Sequence, residues 1–187
     1  MNIPIILTFA RMALIPTIVI AYYLPFKQGH LVAAIIFTIA AITDFVDGYL
    51  ARSWNQTTRL GAFLDPVADK LVIVVALVLV VGQFGKAFLT VPAAVIVCRE
   101  IVISALREWM AEIGKRTSVA VGFVGKFKTA IQMLSLILLI ICKRHSPEWF
   151  KYIAVGLLYI AAILTLWSMF MYLKAAWLDL TLSSKKE

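Results

Sequence analysis

Asp44-Phe45-Val46-Asp47-Gly48-Tyr49-Leu50-Ala51-Arg52, followed after a short polar stretch by Gly61-Ala62-Phe63-Leu64-Asp65-Pro66-Val67-Ala68-Asp69-Lys70, decides how this chain is read. It places four of the chain's five aspartates in two neighbouring apolar segments. A carboxylate at the centre of a membrane helix costs on the order of 2.5–3.5 kcal/mol on insertion scales, so acids in such positions mark function. Four of them together repel one another strongly unless cations or protons join them. The stretch therefore points to a membrane protein that holds divalent metal in a polar pocket.

Composition agrees. The 187 residues are 63% hydrophobic and only 15% charged, which excludes an ordinary soluble globular domain. The apolar runs are too many for a signal peptide, and no cleavable leader is expected. Cys98 and Cys142 lie in different apolar stretches, so neither a disulfide framework nor a cysteine metal site is expected. The net charge of +8 is spread over loops between apolar segments, a distribution suited to anionic headgroups or phosphorylated substrates rather than nucleic acid.

Six apolar segments run over about 3–24, 31–52, 61–82, 88–111, 122–142 and 149–174, each long enough to cross ~30 Å of hydrocarbon as a helix. The expected fold is an all-α integral membrane protein: one domain over 1–187, a six-transmembrane-helix bundle with a polar site opening to the cytoplasm. Tyr22, Tyr23, Trp54, Trp109, Trp149 and Trp177 sit near segment ends, where interfacial aromatics belong. Arg52, Arg59, Arg107, Lys115, Arg116, Lys126, Lys128, Lys174, Lys185 and Lys186 fall on one side. Lys27, Lys86, Lys143, Arg144 and Lys151 fall on the other. The excess puts both termini and the 53–60 and 112–121 loops in the cytoplasm.

On helical backbone, Asp44 and Asp47 share one face by three-residue spacing, and Asp65 and Asp69 share one by four-residue spacing. In an antiparallel pair the two sets reach matching depths, roughly 6–12 Å inside the helix ends at ~1.5 Å per residue. Oxygen ligands with no histidine or cysteine nearby select Mg²⁺, Mn²⁺ or Ca²⁺ over zinc. The small residues Gly48, Ala51, Gly61, Ala62 and Ala68 leave room for a substrate or serve close helix packing. Pro66 cannot donate to the carbonyl of Ala62, so it lies in the first turn of its helix or opens the helix slightly. Arg52, at the mouth of the cluster, suits a phosphate or diphosphate.

The spacing D-x2-D-G-x2-A-R-x8-G-x3-D-x3-D, matched in full from Asp44 to Asp69, resembles the signature of the CDP-alcohol phosphatidyltransferase family. The resemblance implies six membrane helices, a homodimer, and displacement of CMP from a CDP-linked substrate by an incoming hydroxyl. It implies that Asp44, Asp47 and Asp65, with Asp69 as a possible fourth ligand, hold one or two Mg²⁺ or Mn²⁺ ions. It implies that Asp69 is the general base. It also implies that Asp47, Gly48, Ala51, Arg52 and Gly61 line the site of CDP-diacylglycerol.

Three further stretches are similar to bacterial inner-membrane members whose acceptor is sn-glycerol 3-phosphate. They are Asn2 to Arg11, Arg99 to Met110, and Gly125 to Thr129. That likeness implies transfer of the phosphatidyl group to glycerol 3-phosphate, giving phosphatidylglycerophosphate and CMP. It adds Pro4 and Thr8 to the cytidine site, with Arg11 nearby. Cations beside an acidic cluster suit a phosphorylated acceptor, and Arg107, Arg116 and Lys126 are the residues expected to hold its phosphate. Two alternatives stand beside this reading. One is a sister transferase with another acceptor, making cardiolipin or phosphatidylinositol phosphate. The other is a divalent-cation transporter, in which intramembrane acids are also expected.

Overall fold

The structure is a computed structural model that describes residues 3–25, 28–54, 59–112, 123–143 and 146–183. Within these, the side chains of 3–7, 44–54, 59–63, 65, 123–126, 175–176 and 178–183 lie outside the description. The described chain is helical throughout: α1 (Ile3–Tyr23), α2 (Gly29–Trp54), α3 (Arg59–Phe84), α4 (Ala87–Glu112), α5 (Phe123–Ile141) and α6 (Glu148–Ser183). These six match the six apolar segments. Three of them contain stretches long and apolar enough to cross a membrane: Pro66–Phe84, Ala87–Glu112 and Glu148–Lys174. Over the described residues, Thr8–Tyr23, Gly29–Thr43 and Phe127–Ile141 are apolar but shorter.

The largest boundary difference is at α6, which runs nine residues past the expected end at 174 to Ser183. Its 36 residues are about 54 Å long, well beyond a hydrocarbon core. The helix continues past the length that hydrocarbon requires, through Ala175-Ala176-Trp177-Leu178 to Ser183. Pro66 is not in a first turn, because α3 begins at Arg59 and encloses it. Pro16 and Pro92 likewise sit inside α1 and α4. Membrane helices tolerate such prolines because neighbouring helices satisfy the freed backbone groups.

Lipid gives helices no hydrophobic reason to associate, so close contact of small side chains must hold them. The buried interfaces follow that rule. Ala33, Ala34 and Ala40 of α2, Ala68 and Ala76 of α3, Ala93 of α4, and Ala154, Ala161 and Ala162 of α6 are all buried. Among the described residues α1 packs along α2 and α3, α5 along α6 and α2, and α4 along α6. Phe37, Leu77, Ile96, Leu136, Ile140 and Leu158 fill the space between. Ser135 spans α5 and α6 by donating to the Ala154 carbonyl at 2.8 Å.

Two tight connections require glycine. A Cβ at Gly29 would lie 2.7 Å from the Ala21 carbonyl oxygen, so only glycine lets α2 start against the end of α1. Gly85 has φ of +56° and its amide donates to the Val81 carbonyl at 2.9 Å, ending α3 in the left-handed conformation that glycine adopts freely. A polar clasp joins the helix ends here. The Tyr22 hydroxyl donates to Gln83 Oε1, and Gln83 Nε2 donates to the Cys142 carbonyl at 2.9 Å. His30 Nδ1 meets the Ile140 carbonyl at 3.0 Å, with its ring 4.4 Å from that of Tyr22.

The clasp corrects one expectation. Tyr22 is not an interfacial aromatic but a buried one, whereas Tyr23, Trp109, Trp149 and Trp177 are exposed as expected. A buried tyrosine needs a partner for its hydroxyl, and Gln83 supplies it. Because the clasp gathers the end of α1, the start of α2 and the end of α3, the end of α2 and the start of α3 lie together at the opposite end of the bundle. Tyr22→Phe is expected to lower stability by about 1 kcal/mol through loss of this hydrogen bond, leaving Gln83 underpaired. Thermal unfolding of the purified protein in detergent measures it.

Candidate active site

The acidic segments occupy the end of the bundle opposite the clasp. Asp44 and Asp47 lie in the last three turns of α2, and Asp65 and Asp69 in the first three of α3. Their helical backbone is the one that the three- and four-residue spacings presuppose. The side chains of Asp44, Asp47, Gly48, Ala51, Arg52, Gly61 and Asp65 lie outside the described residues, as do those of Pro4 and Lys126 and the whole of Arg116. Asp69, Thr8 and Arg107 are described.

Asp69 is the centre of what can be seen. Its carboxylate is 36% exposed, and its Oδ1 accepts a hydrogen bond from Nη1 of Arg11, whose side chain is 2% exposed. Arg11 is on α1, one turn after the buried Thr8. Next to Asp69, Lys70 points the other way and its Nζ donates to Ser104 Oγ on α4. Consecutive residues of α3 therefore tie it to α1 and to α4. Thr8 and Arg11, expected near the nucleotide, do share one buried face of α1.

Beyond Ser104 the polar line on α4 continues in both directions. Glu100, Ser104 and Arg107 follow at four- and three-residue steps, the spacing of one helix face. Glu100 Oε1 accepts from Arg99 Nη1 at 2.9 Å and from Lys128 Nζ of α5 at 3.0 Å. Arg99 Nη2 reaches on to Ser168 Oγ of α6 at 2.9 Å, and Ser168 donates to the Thr165 carbonyl. Arg99 and Lys128 are both buried, so one carboxylate compensates two cations and ties α4, α5 and α6. Arg107 is exposed; its Nη2 donates to the Tyr172 hydroxyl at 2.9 Å and its guanidinium lies 5.2 Å from that ring's centre.

Lys128 is expected from the sequence only as one of the cations on one side, and the part played by Glu100 goes unread there. The signal was available: an acid within an apolar segment beside an arginine needs a reason to be there. Arg11 and Tyr172 were also underread, since the partner of each lies more than fifty residues away. Among the described residues no group of three or more His, Cys, Asp or Glu side chains forms a metal centre. The side chains of Asp44, Asp47 and Asp65 lie outside the described residues.

Removing one member of a buried charge network strands the others. Glu100→Gln leaves Arg99 and Lys128 facing each other without a counter-charge, and is expected to cost on the order of 3 kcal/mol. Glu100→Asp, which keeps the charge, should cost clearly less. Denaturant unfolding of both variants in detergent checks the difference.

The likeness to known proteins covers nearly all of the chain. The family profile for CDP-alcohol phosphatidyltransferase matches residues 1–173. A CDP-diacylglycerol–glycerol-3-phosphate 3-phosphatidyltransferase of Yersinia pestis (strain Pestoides F) is 58% identical over 180 residues, which are 96% of this chain and 97% of that protein. Proteins of the same name from Pectobacterium atrosepticum and Salmonella choleraesuis are 58% identical over 179 residues and 54% over 180, at the same coverage. With a profile match over 173 residues and relatives this similar from end to end, the chain belongs to the CDP-alcohol phosphatidyltransferase family.

Proposed function

We propose that this protein transfers the phosphatidyl group of CDP-diacylglycerol to sn-glycerol 3-phosphate, giving phosphatidylglycerophosphate and CMP. The observation that carries the reading is end-to-end identity of 54–58% to relatives named for that reaction. The site supports it in kind, with a partly exposed carboxylate held by a buried arginine, and with the next residue, Lys70, bonded to Ser104 in a row of polar residues on α4. The enzyme is a single-domain protein of the bacterial inner membrane, a homodimer crossing six times. Its termini and active site face the cytoplasm.

A hard divalent ion fits the donor set. The signature aspartates supply only oxygen, they stand on helical backbone at one end of the bundle, and the carboxylate of Asp69 is accessible. Asp44, Asp47 and Asp65, joined by Asp69, are the residues to hold one or two Mg²⁺ or Mn²⁺. When bound, such ions neutralise charge on the diphosphate and on the departing CMP.

The remaining steps fall to the chain itself. Pro4, Thr8, Asp47, Gly48, Ala51, Arg52 and Gly61 seat the cytidine diphosphate part of the lipid. Arg107, Arg116 and Lys126 hold the acceptor phosphate, with Tyr172 steadying the Arg107 guanidinium. Asp69 takes the proton of the acceptor's 1-hydroxyl. The hydroxyl oxygen then forms its bond to the lipid-bearing phosphorus, and the bond from that phosphorus to CMP breaks with its electron pair leaving on CMP. The acyl chains stay in the membrane, so the site opens sideways between helices.

Two experiments test the proposal. Purified protein is given CDP-diacylglycerol with glycerol 3-phosphate, phosphatidylglycerol or inositol phosphate, with and without chelator. Only glycerol 3-phosphate should release CMP, and chelator should stop it. Release with a different acceptor alone would reassign the enzyme to a sister reaction, and no release with any would favour the transporter reading. Asp69→Asn should lower turnover about a hundred- to ten-thousandfold while CDP-diacylglycerol still binds. Near-normal synthesis by that variant would remove Asp69 from the role of base.

A further inference from the structure

We infer that Arg11 is the positioning residue of the reaction: it holds the Asp69 carboxylate by Oδ1 from the buried side and so sets the direction in which that carboxylate meets the acceptor hydroxyl. The inference rests on the reading of Asp69 as the proton acceptor.

Three observations carry it. Arg11 is the largest of the fully buried side chains among the described residues. An arginine this near the end of a membrane helix ordinarily extends its long side chain outward to the headgroups. Here it turns inward, and a buried guanidinium is tolerated only where a counter-charge meets it. Second, that counter-charge is Asp69 of α3, so the contact crosses between helices rather than along one. Third, burial across the pair is unequal. Arg11 is 2% exposed and Asp69 36%, so the arginine approaches from the protein side and leaves the carboxylate reachable from the other.

This arrangement suits a group that must be correctly aimed. A lone aspartate has two rotatable side-chain bonds, and each rotamer would present its oxygens in a different direction. The guanidinium is planar and buried, so its Nη1 meets Oδ1 from a set direction and this bond limits how the carboxylate can rotate. Small errors of placement at a reacting atom are costly, and alignment of the base appears in the rate of the chemical step rather than in substrate binding. Lys70, the next residue, anchors the same turn of α3 to Ser104 of α4, so backbone and side chain are both held.

The test compares Arg11→Gln and Arg11→Lys with the parent protein. Arg11→Gln should lower kcat about tenfold or more while KM for both substrates stays within about threefold. Arg11→Lys should recover only part of the rate, because the charge returns on a shorter side chain that cannot meet Oδ1 from the same direction. Binding of CMP or CDP-diacylglycerol, measured by calorimetry without turnover, should match the parent.

A kcat for Arg11→Gln within about twofold of the parent would overturn the inference. So would a large rise in KM for CDP-diacylglycerol at preserved kcat, which would make Arg11 a nucleotide contact instead. If Arg11→Gln does not fold, Arg11→Lys decides alone: a lowered kcat at unchanged KM and unchanged melting temperature supports positioning, and an unchanged kcat overturns it. Asp69→Asn in parallel separates the two ideas. An inactive Asp69→Asn beside a fully active Arg11→Gln removes the positioning role and leaves the base in place; an active Asp69→Asn removes both.

Discussion

A charge inside a membrane has to find its partner within the protein, and two such pairings organise the end of this bundle that carries the signature. Arg11 and Asp69 join α1 to α3, while Glu100 gathers Arg99 and Lys128 and ties α4 to α5, with Arg99 reaching Ser168 on α6. Breaking either would strand a buried ion, a penalty larger than most single contacts contribute. The polar groups therefore specify which helices meet and at what depth. Buried alanines on α2, α3, α4 and α6 then allow the backbones to approach.

The two ends of the bundle divide the work. At one end Tyr22, Gln83, His30 and the carbonyls of Ile140 and Cys142 form a clasp of hydrogen bonds with no carboxylate, lysine or arginine in it. Neutral partners cost little to bury and do not attract ions, which suits a purely mechanical role. At the other end the side chains are acidic and basic, with Arg11, Arg99 and Lys128 buried and the Asp69 carboxylate partly exposed. That asymmetry sets the acidic and basic side chains apart from the clasp, toward the end of the bundle that carries the signature. Relatives at 54–58% identity are named for a phosphatidyl transfer to glycerol 3-phosphate.

Much of the fold was legible because hydropathy and helix length are local properties. The six apolar segments became six helices, and the spacings of Asp44 with Asp47 and Asp65 with Asp69 fell on helical backbone. The family was legible for the same reason, since its signature occupies 26 consecutive positions. The misreadings share the opposite character. Tyr22 sits near a helix end and looked interfacial, yet Gln83, sixty-one residues away, draws it inside. Lys128 reads as one more cation of its membrane side because Glu100 reaches it only after α4 and α5 are brought together. The extension of α6 past 174 lay beyond the reach of hydropathy, which follows lipid contact rather than helix propensity.

Sequence alone determined that this chain is built of membrane-type helices, that carboxylates crowd two of them, and that they follow a known signature. Those facts depend on residue type and short-range spacing, where 1.5 Å per residue along a helix leaves little freedom. Tertiary structure decided the partners: Arg11 for Asp69, Glu100 for Arg99 and Lys128, Tyr172 for Arg107. Each of these, apart from neighbouring Arg99 and Glu100, joins different helices. Helix packing alone sets which buried charges come within hydrogen-bonding distance, because every side chain on a helix has several faces it could meet and only one that it does.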